Sequence, residues 1–188
     1  MSQPNILKVF FRRAVHSVQA TFDLHLSYQW IRWRPSNAPP PALPDGVERL
    51  FIETPSGLLE ILYAAPTGST RQGATPLFFV HGGMGGAWVW FEYLQFFSSQ
   101  GIPCYAISLR GHGESWQPSF LCMVYGTTKR ALASDLVAGI RWAEGRENSQ
   151  VVLVGHSSGG GLSQLVLSNK DIKVKGLVLE GAVPGFGS

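Results

Sequence analysis

The apolar positions of this chain change their spacing as one reads along it. "VERLFIET" and "GLLEILYAA" (residues 47–54 and 57–65) are rich in branched and aromatic residues and are separated by Pro55-Ser56-Gly57. Such runs around a turn signal predict two strands joined as a hairpin. Short apolar runs then alternate with longer helical patterns. "TPLFFVHGG", "IPCYAISL", "VVLVG" and "VKGLVLEGAV" read as buried strands, while "VWFEYLQFFSSQG", "TTKRALASDLVAGIRWAEG" and "GGGLSQLVLSN" read as helices. In the second of these, Leu132, Leu136, Ile140 and Ala143 share one face. Strands alternating with helices predict an α/β architecture, a mainly parallel sheet with helices on both faces.

Upstream, "RPSNAPPPALPDG" is a proline-rich linker, so the chain divides into residues 1–45 and a domain from 46 to 188. Phe11, Val15, Val18 and Phe22 recur at helical spacing before the linker. Residues 1–34 carry Lys8, Arg12, Arg13, Arg32 and Arg34 against Asp23 alone. This basic amphipathic pattern fits a helix packed on its own domain or peripheral to a membrane through residues 1–30, or a mitochondrial presequence. No apolar core precedes a small-residue cleavage site, so a secretory signal is not expected.

Composition narrows the classes further. Hydrophobic residues make up 45% of the 188 and charged residues 14%, which describes a folded chain rather than a disordered one. A net charge of +3 is too small to argue for nucleic acid. No run is long enough for a membrane span. Two cysteines, Cys104 and Cys122, form neither a disulfide framework nor a metal set, and no cofactor or metal is implied.

The candidate chemistry sits at the predicted strand ends. Gly155-His156-Ser157-Ser158-Gly159 has the G-x-S-x-G spacing between a strand and a helix. A turn this tight holds the serine in strained backbone geometry, requires small neighbours two positions to either side, and aims Oγ outward as a nucleophile. It also puts the Ser158 N–H at a helix start, where a developing oxyanion is favoured. A phosphate-binding loop is the rival explanation, but neither G-x-G-x-x-G nor a P-loop pattern fits this segment. "HGGMGGAW" supplies a second glycine loop, with Gly83 the expected oxyanion donor and Met84 the alternative; His81 is expected to bond the loop.

His81-Gly82-Gly83, then "LRGHGES", then "GHSSGG", in this order, resemble the α/β-hydrolase family, most of all its serine-nucleophile branch of lipases, esterases and serine aminopeptidases. The likeness covers about residues 47–188 and implies the first two-thirds of such a domain. It implies Ser157 as nucleophile, Gly83 and Ser158 as oxyanion N–H donors, and "RGHG" as a structural loop beside the site. The dehalogenase and epoxide-hydrolase branches carry aspartate where this chain has Ser157. The resemblance also implies an acid and then a histidine after the nucleophile. The histidines are His16, His25, His81, His112 and His156, and none follows Ser157. Of the two acids that do, Asp171 is expected on the surface, and Glu180, at the end of the last strand, is the candidate acid. His112 is the rival base; His156 is expected to point away from Oγ. A missing histidine and an apolar last strand left at a sheet edge lead us to expect an incomplete domain, able to self-associate through that edge.

Two functions follow as expectations. One is a serine hydrolase acting on an ester or amide of apolar character, an inference from Trp88, Trp90, Phe91 and Trp116, each equally well explained by core packing. The other is a non-catalytic binding protein, since serine without a base is a weak nucleophile.

Overall fold

The computed structural model describes Ser17 and residues 39–67, 73–119 and 122–185. The expected N-terminal amphipathic helix and most of the linker lie outside the described residues. Contacts divide the chain into Met1–Pro40 and Pro41–Ser188, and everything below concerns the second unit.

Six strands form one sheet: β1 (Val47–Thr54), β2 (Gly57–Ala64), β3 (Leu77–Val80), β4 (Cys104–Ile107), β5 (Val152–His156) and β6 (Gly176–Glu180). Their order across the sheet is β1-β2-β4-β3-β5-β6. The hairpin β1–β2 is antiparallel and joins β4 antiparallel; β4, β3, β5 and β6 run parallel. The helices are α1 (Phe91–Ser99), α2 (Lys129–Glu147) and α3 (Ser158–Ser168), with a 3₁₀ turn at Ala87–Trp90 ahead of α1. Thr128 caps α2 by accepting the Ala131 N–H, and Asn148 ends it in the left-handed conformation at φ 49°.

The alternation of a strand places successive residues on opposite faces, and β3 shows the consequence. Phe78 and Val80 join Leu136, Ile140 and Ala143 of α2 and Leu162 and Val166 of α3 in one apolar layer. Phe79 joins Trp90 and Leu94, from the 3₁₀ turn and α1, in the layer on the other face. The sheet is therefore covered on both sides, as the alternating pattern predicts.

Chain order places the site. From β3 the chain moves to β4 on one side, then crosses through α2 to β5 on the other. The register aligns Val80 with both Ile107 and Gly155, and His156 with Glu180. The residues just beyond, His81, Ser108 and Ser157, thus emerge together at one edge, the switch point where ligands of such sheets bind. β6 pairs with β5 alone among the described strands. Its Leu177, Val178 and Leu179 are exposed.

Candidate active site

The serine turn is built by close packing. Ser157 sits at φ 52°, ψ −121°, in a region a non-glycine residue enters only under constraint. The constraint is visible in its backbone bonds. Its N–H donates to the Glu180 carbonyl at 3.1 Å, and its carbonyl accepts from Gly160, Gly161 and Val183 at 3.1–3.2 Å. A Cβ at Gly155 would lie 2.7 Å from Gly160 Cα, and one at Gly159 would lie 2.8 Å from the Val80 carbonyl oxygen and closer still to that of His81. Both glycines are required because α3 lies directly against the ends of β3 and β5.

The glycine loop meets this turn. A Cβ at Gly82 would be 3.0 Å from Ser157 Cβ, and one at Gly83 would be 3.5 Å from Ser158 Oγ. His81 is fully buried. Its Nε2 accepts the Leu109 N–H at 3.1 Å, so the proton rests on Nδ1, which donates to the Gly82 carbonyl at 2.6 Å. The Gly85 N–H bonds the same carbonyl at 3.2 Å. Because the peptide plane is rigid and trans, anchoring the Gly82 C=O turns the Gly83 N–H the opposite way. His81 thus orients the loop that carries the expected donor.

Burial, reinforced by neighbouring His112, lowers the His81 pKa to about 4, against a smaller opposing effect of the Gly82 bond. The unfolded chain binds this proton near pH 6.5 and the folded chain resists it until about pH 4, so stability is full above pH 6.5 and falls between the two values. We expect a loss of about 2 kcal/mol between pH 7 and pH 4.5 from this group. Urea denaturation at both pH values checks it: the fall in His81→Asn should be smaller by that amount. Equal falls in the two proteins would show that His81 is not the group responsible.

Two further layers hold the loops. His112 lies with Nδ1 3.0 Å from the Arg110 carbonyl oxygen and Nε2 3.0 Å from that of Gly83, a neutral ring with its one N–H donating to one of the two, and its ring centre lies 4.7 Å from that of His81. It clasps the arginine loop to the glycine loop. Beneath them, buried Glu60 of β2 accepts from Arg49 Nε and Ser108 Oγ at 2.7 Å and from the Glu114 N–H at 3.0 Å. Ser108 Oγ in turn accepts the Ala87 N–H at 2.8 Å. Gly113, at φ +51°, leaves room for this network: a Cβ there would overlap Ser108 Oγ and Glu60 Oε2. Nothing in the spacing of the sequence pointed to Glu60.

The other expected residues fall as follows. Glu180 ends β6 beside the serine turn, and its carboxylate accepts the Tyr93 hydroxyl at 3.0 Å. Asp171 pairs with Arg130 at 3.0 Å on the surface. His156 is exposed, with its ring 6.4 Å from that of Trp90. Among the described residues no hydrogen bond joins a histidine to Ser157 Oγ: His81 and His112 are both committed to backbone groups. Met84 is exposed. No described group of His, Cys, Asp and Glu is arranged to hold a metal ion.

The aromatic residues behind the apolar-substrate expectation do not gather around a ligand space. Trp90 is buried, and Phe91 packs against the same core layer. Trp116 packs on the opposite layer. The reason is that each follows a strand end or loop whose nearest apolar surface is the sheet. Trp88 alone of the four is exposed. A ligand-sized space lies elsewhere, a cavity of about 270 Å³ bordered by Gly83 and Ser158 and walled by leucines.

The profile of the alpha/beta hydrolase family matches residues 77–188, more than half of the chain. Among solved structures, the chain is similar to a thioesterase domain from the curacin biosynthetic pathway, at 21% identity and a TM-score of 0.57, over 77% of this chain and 50% of that one. It is similar to an epoxide hydrolase from Vigna radiata, at 21% identity and a TM-score of 0.59, over 73% of this chain and 41% of the other. A loop variant of a haloalkane dehalogenase from Bradyrhizobium elkanii aligns at 18% identity and a TM-score of 0.58, over 72% and 40%. The chain thus spans half or less of the length of these structures, whose likeness is one of fold. By the family match and the fold together, this chain belongs to the alpha/beta hydrolase family.

Proposed function

We propose that this chain is a serine hydrolase by descent, acting on an ester or amide of apolar character through an acyl-enzyme on Ser157. The observation that carries the reading is Ser157, held at positive φ beside the glycine loop by four backbone hydrogen bonds, to Glu180, Val183, Gly160 and Gly161. In this reading Ser157 Oγ attacks the carbonyl carbon, and the Gly83 and Ser158 N–H groups stabilise the oxyanion that forms. Loss of the leaving group gives an acyl-enzyme, which water cleaves. Glu180 is the candidate acid by its position at the end of β6, although its carboxylate is engaged by Tyr93.

The serine proton needs an acceptor, and no described histidine offers one. Oxyanion and binding contributions without the base leave only ~10³–10⁴-fold acceleration over water. The same observation favours a second reading, a binding protein that keeps the site without turnover. A fluorophosphonate separates them. The expected outcome is slow covalent labelling that maps to Ser157 by peptide mass and vanishes completely in Ser157→Ala. A folded chain that stays unlabelled at saturating reagent would overturn the nucleophile assignment and leave the binding reading.

A further inference from the structure

We infer that the cavity beside the serine turn is a chain-length-limiting pocket for the apolar group attached to the reacting carbonyl, floored by Leu132 of α2 and Leu165 of α3. The inference rests on the serine-hydrolase reading for the word "reacting", but not for the pocket itself.

Gly83 and Ser158, the residues proposed to hold the carbonyl oxygen, line the cavity. A substituent on that carbonyl carbon therefore has the cavity beside it. The walls beyond are Leu109, Leu132, Leu162, Leu165, Val183 and Pro184. Five separate segments contribute: the glycine loop, the start of the arginine loop, α2, α3 and the segment that follows β6. The histidines that border the space have their ring nitrogens turned to backbone groups, so they offer an entering ligand no free polar partner in this arrangement. Lys129, at the start of α2, also borders the space, but the leucine, valine and proline walls offer no hydrogen bond in exchange for lost hydration and favour hydrocarbon over a sugar-like group.

The volume sets the limit. A cavity of ~150 Å³ takes up benzene, six carbons. By proportion, about 270 Å³ holds an unbranched chain of about ten carbons. Leu132 and Leu165 are only partly buried and pack at the margin of the core, so they can be enlarged without invading its centre.

The test is binding of methyl alkanoates of graded length to the Ser157→Ala chain, read by calorimetry. That variant cannot turn over, and Ser157 does not line the cavity. Affinity should rise about fourfold for each added methylene and stop rising near ten carbons. Leu165→Trp and Leu132→Phe should each move the break to chains several carbons shorter, with circular dichroism unchanged. Affinity that ignores chain length in Ser157→Ala, or a break that stays put in both folded variants, would overturn the pocket. A break without fluorophosphonate labelling in the unaltered chain would support the pocket and sink the acyl-transfer reading; labelling without a break would do the reverse.

Discussion

Gly159→Ala should destabilise the fold by about 3–4 kcal/mol, which for a chain of this length lowers the melting temperature by roughly 10 °C. The added methyl would lie 2.8 Å from the Val80 carbonyl oxygen and nearer still to that of His81. Both obstacles are backbone at the end of a central strand, so no side chain can swing aside. Relief requires α3 to move away from β3, which opens the apolar layer around Leu162 and Val166. The same movement would separate Ser158 from Gly83, so fluorophosphonate labelling should fall even at temperatures where the variant is folded. A contrast is available two residues on. At Gly161 the nearest atom to an added Cβ is Val183 Cγ2 at 3.0 Å, the tip of a side chain that can shift, and the cost there should be smaller. Thermal denaturation of the two variants side by side checks the argument. Equal melting temperatures would mean that the elbow yields more readily than its packing implies.

Asp135→Ala should cost about 3–5 kcal/mol. Asp135 of α2 is almost wholly buried and takes Arg110 Nε and Nη2 at 2.7 and 2.6 Å, in a bidentate pair, together with the Arg110 N–H at 3.2 Å. Removing the carboxylate strands a guanidinium whose side chain is only 11% exposed. It cannot escape by losing its proton, because a guanidinium keeps its charge even without a carboxylate partner. Arg110 begins the loop whose His112 clasps Gly83, so the damage should reach the site as reduced labelling of Ser157. The double variant Arg110→Met with Asp135→Leu removes both charges and should recover most of the lost stability. Chemical denaturation of the single and double variants decides it. A single variant within 1 kcal/mol of the unaltered chain would show that water reaches Arg110 when its partner is gone.

How much of this was legible beforehand differs by kind of feature. The six strands and three helices follow from apolar spacing over windows of a few residues, and so does the two-sided cover of the sheet. The serine turn was legible because its requirements are local: two glycines flank the serine at fixed offsets, between a strand and a helix. His81 as a loop-holding residue followed from its place beside Gly82, although the Leu109 N–H that decides its tautomer lies 28 residues away. Glu60 left no trace, since its partners Arg49, Ser108 and Glu114 are distant in sequence and a lone glutamate in a strand resembles any other. The aromatic residues stayed ambiguous between ligand and core for the same reason. Trp90 and Trp116 are near the site in sequence, but the nearest apolar surface in space is the core on opposite faces of the sheet.

The sequence by itself determined the order of elements, the faces that bury, and the tight strand-to-helix turn that carries Ser157, because each depends on neighbours along the chain and on the fixed periods of helix and strand. Only the tertiary structure decided that Gly83 and Ser158 border one cavity, that leucines rather than tryptophans wall it, and that His112 sits between two backbone carbonyls. Those outcomes depend on which strand ends the sheet register brings level and on how closely α3 can approach β3, distances that no local pattern carries.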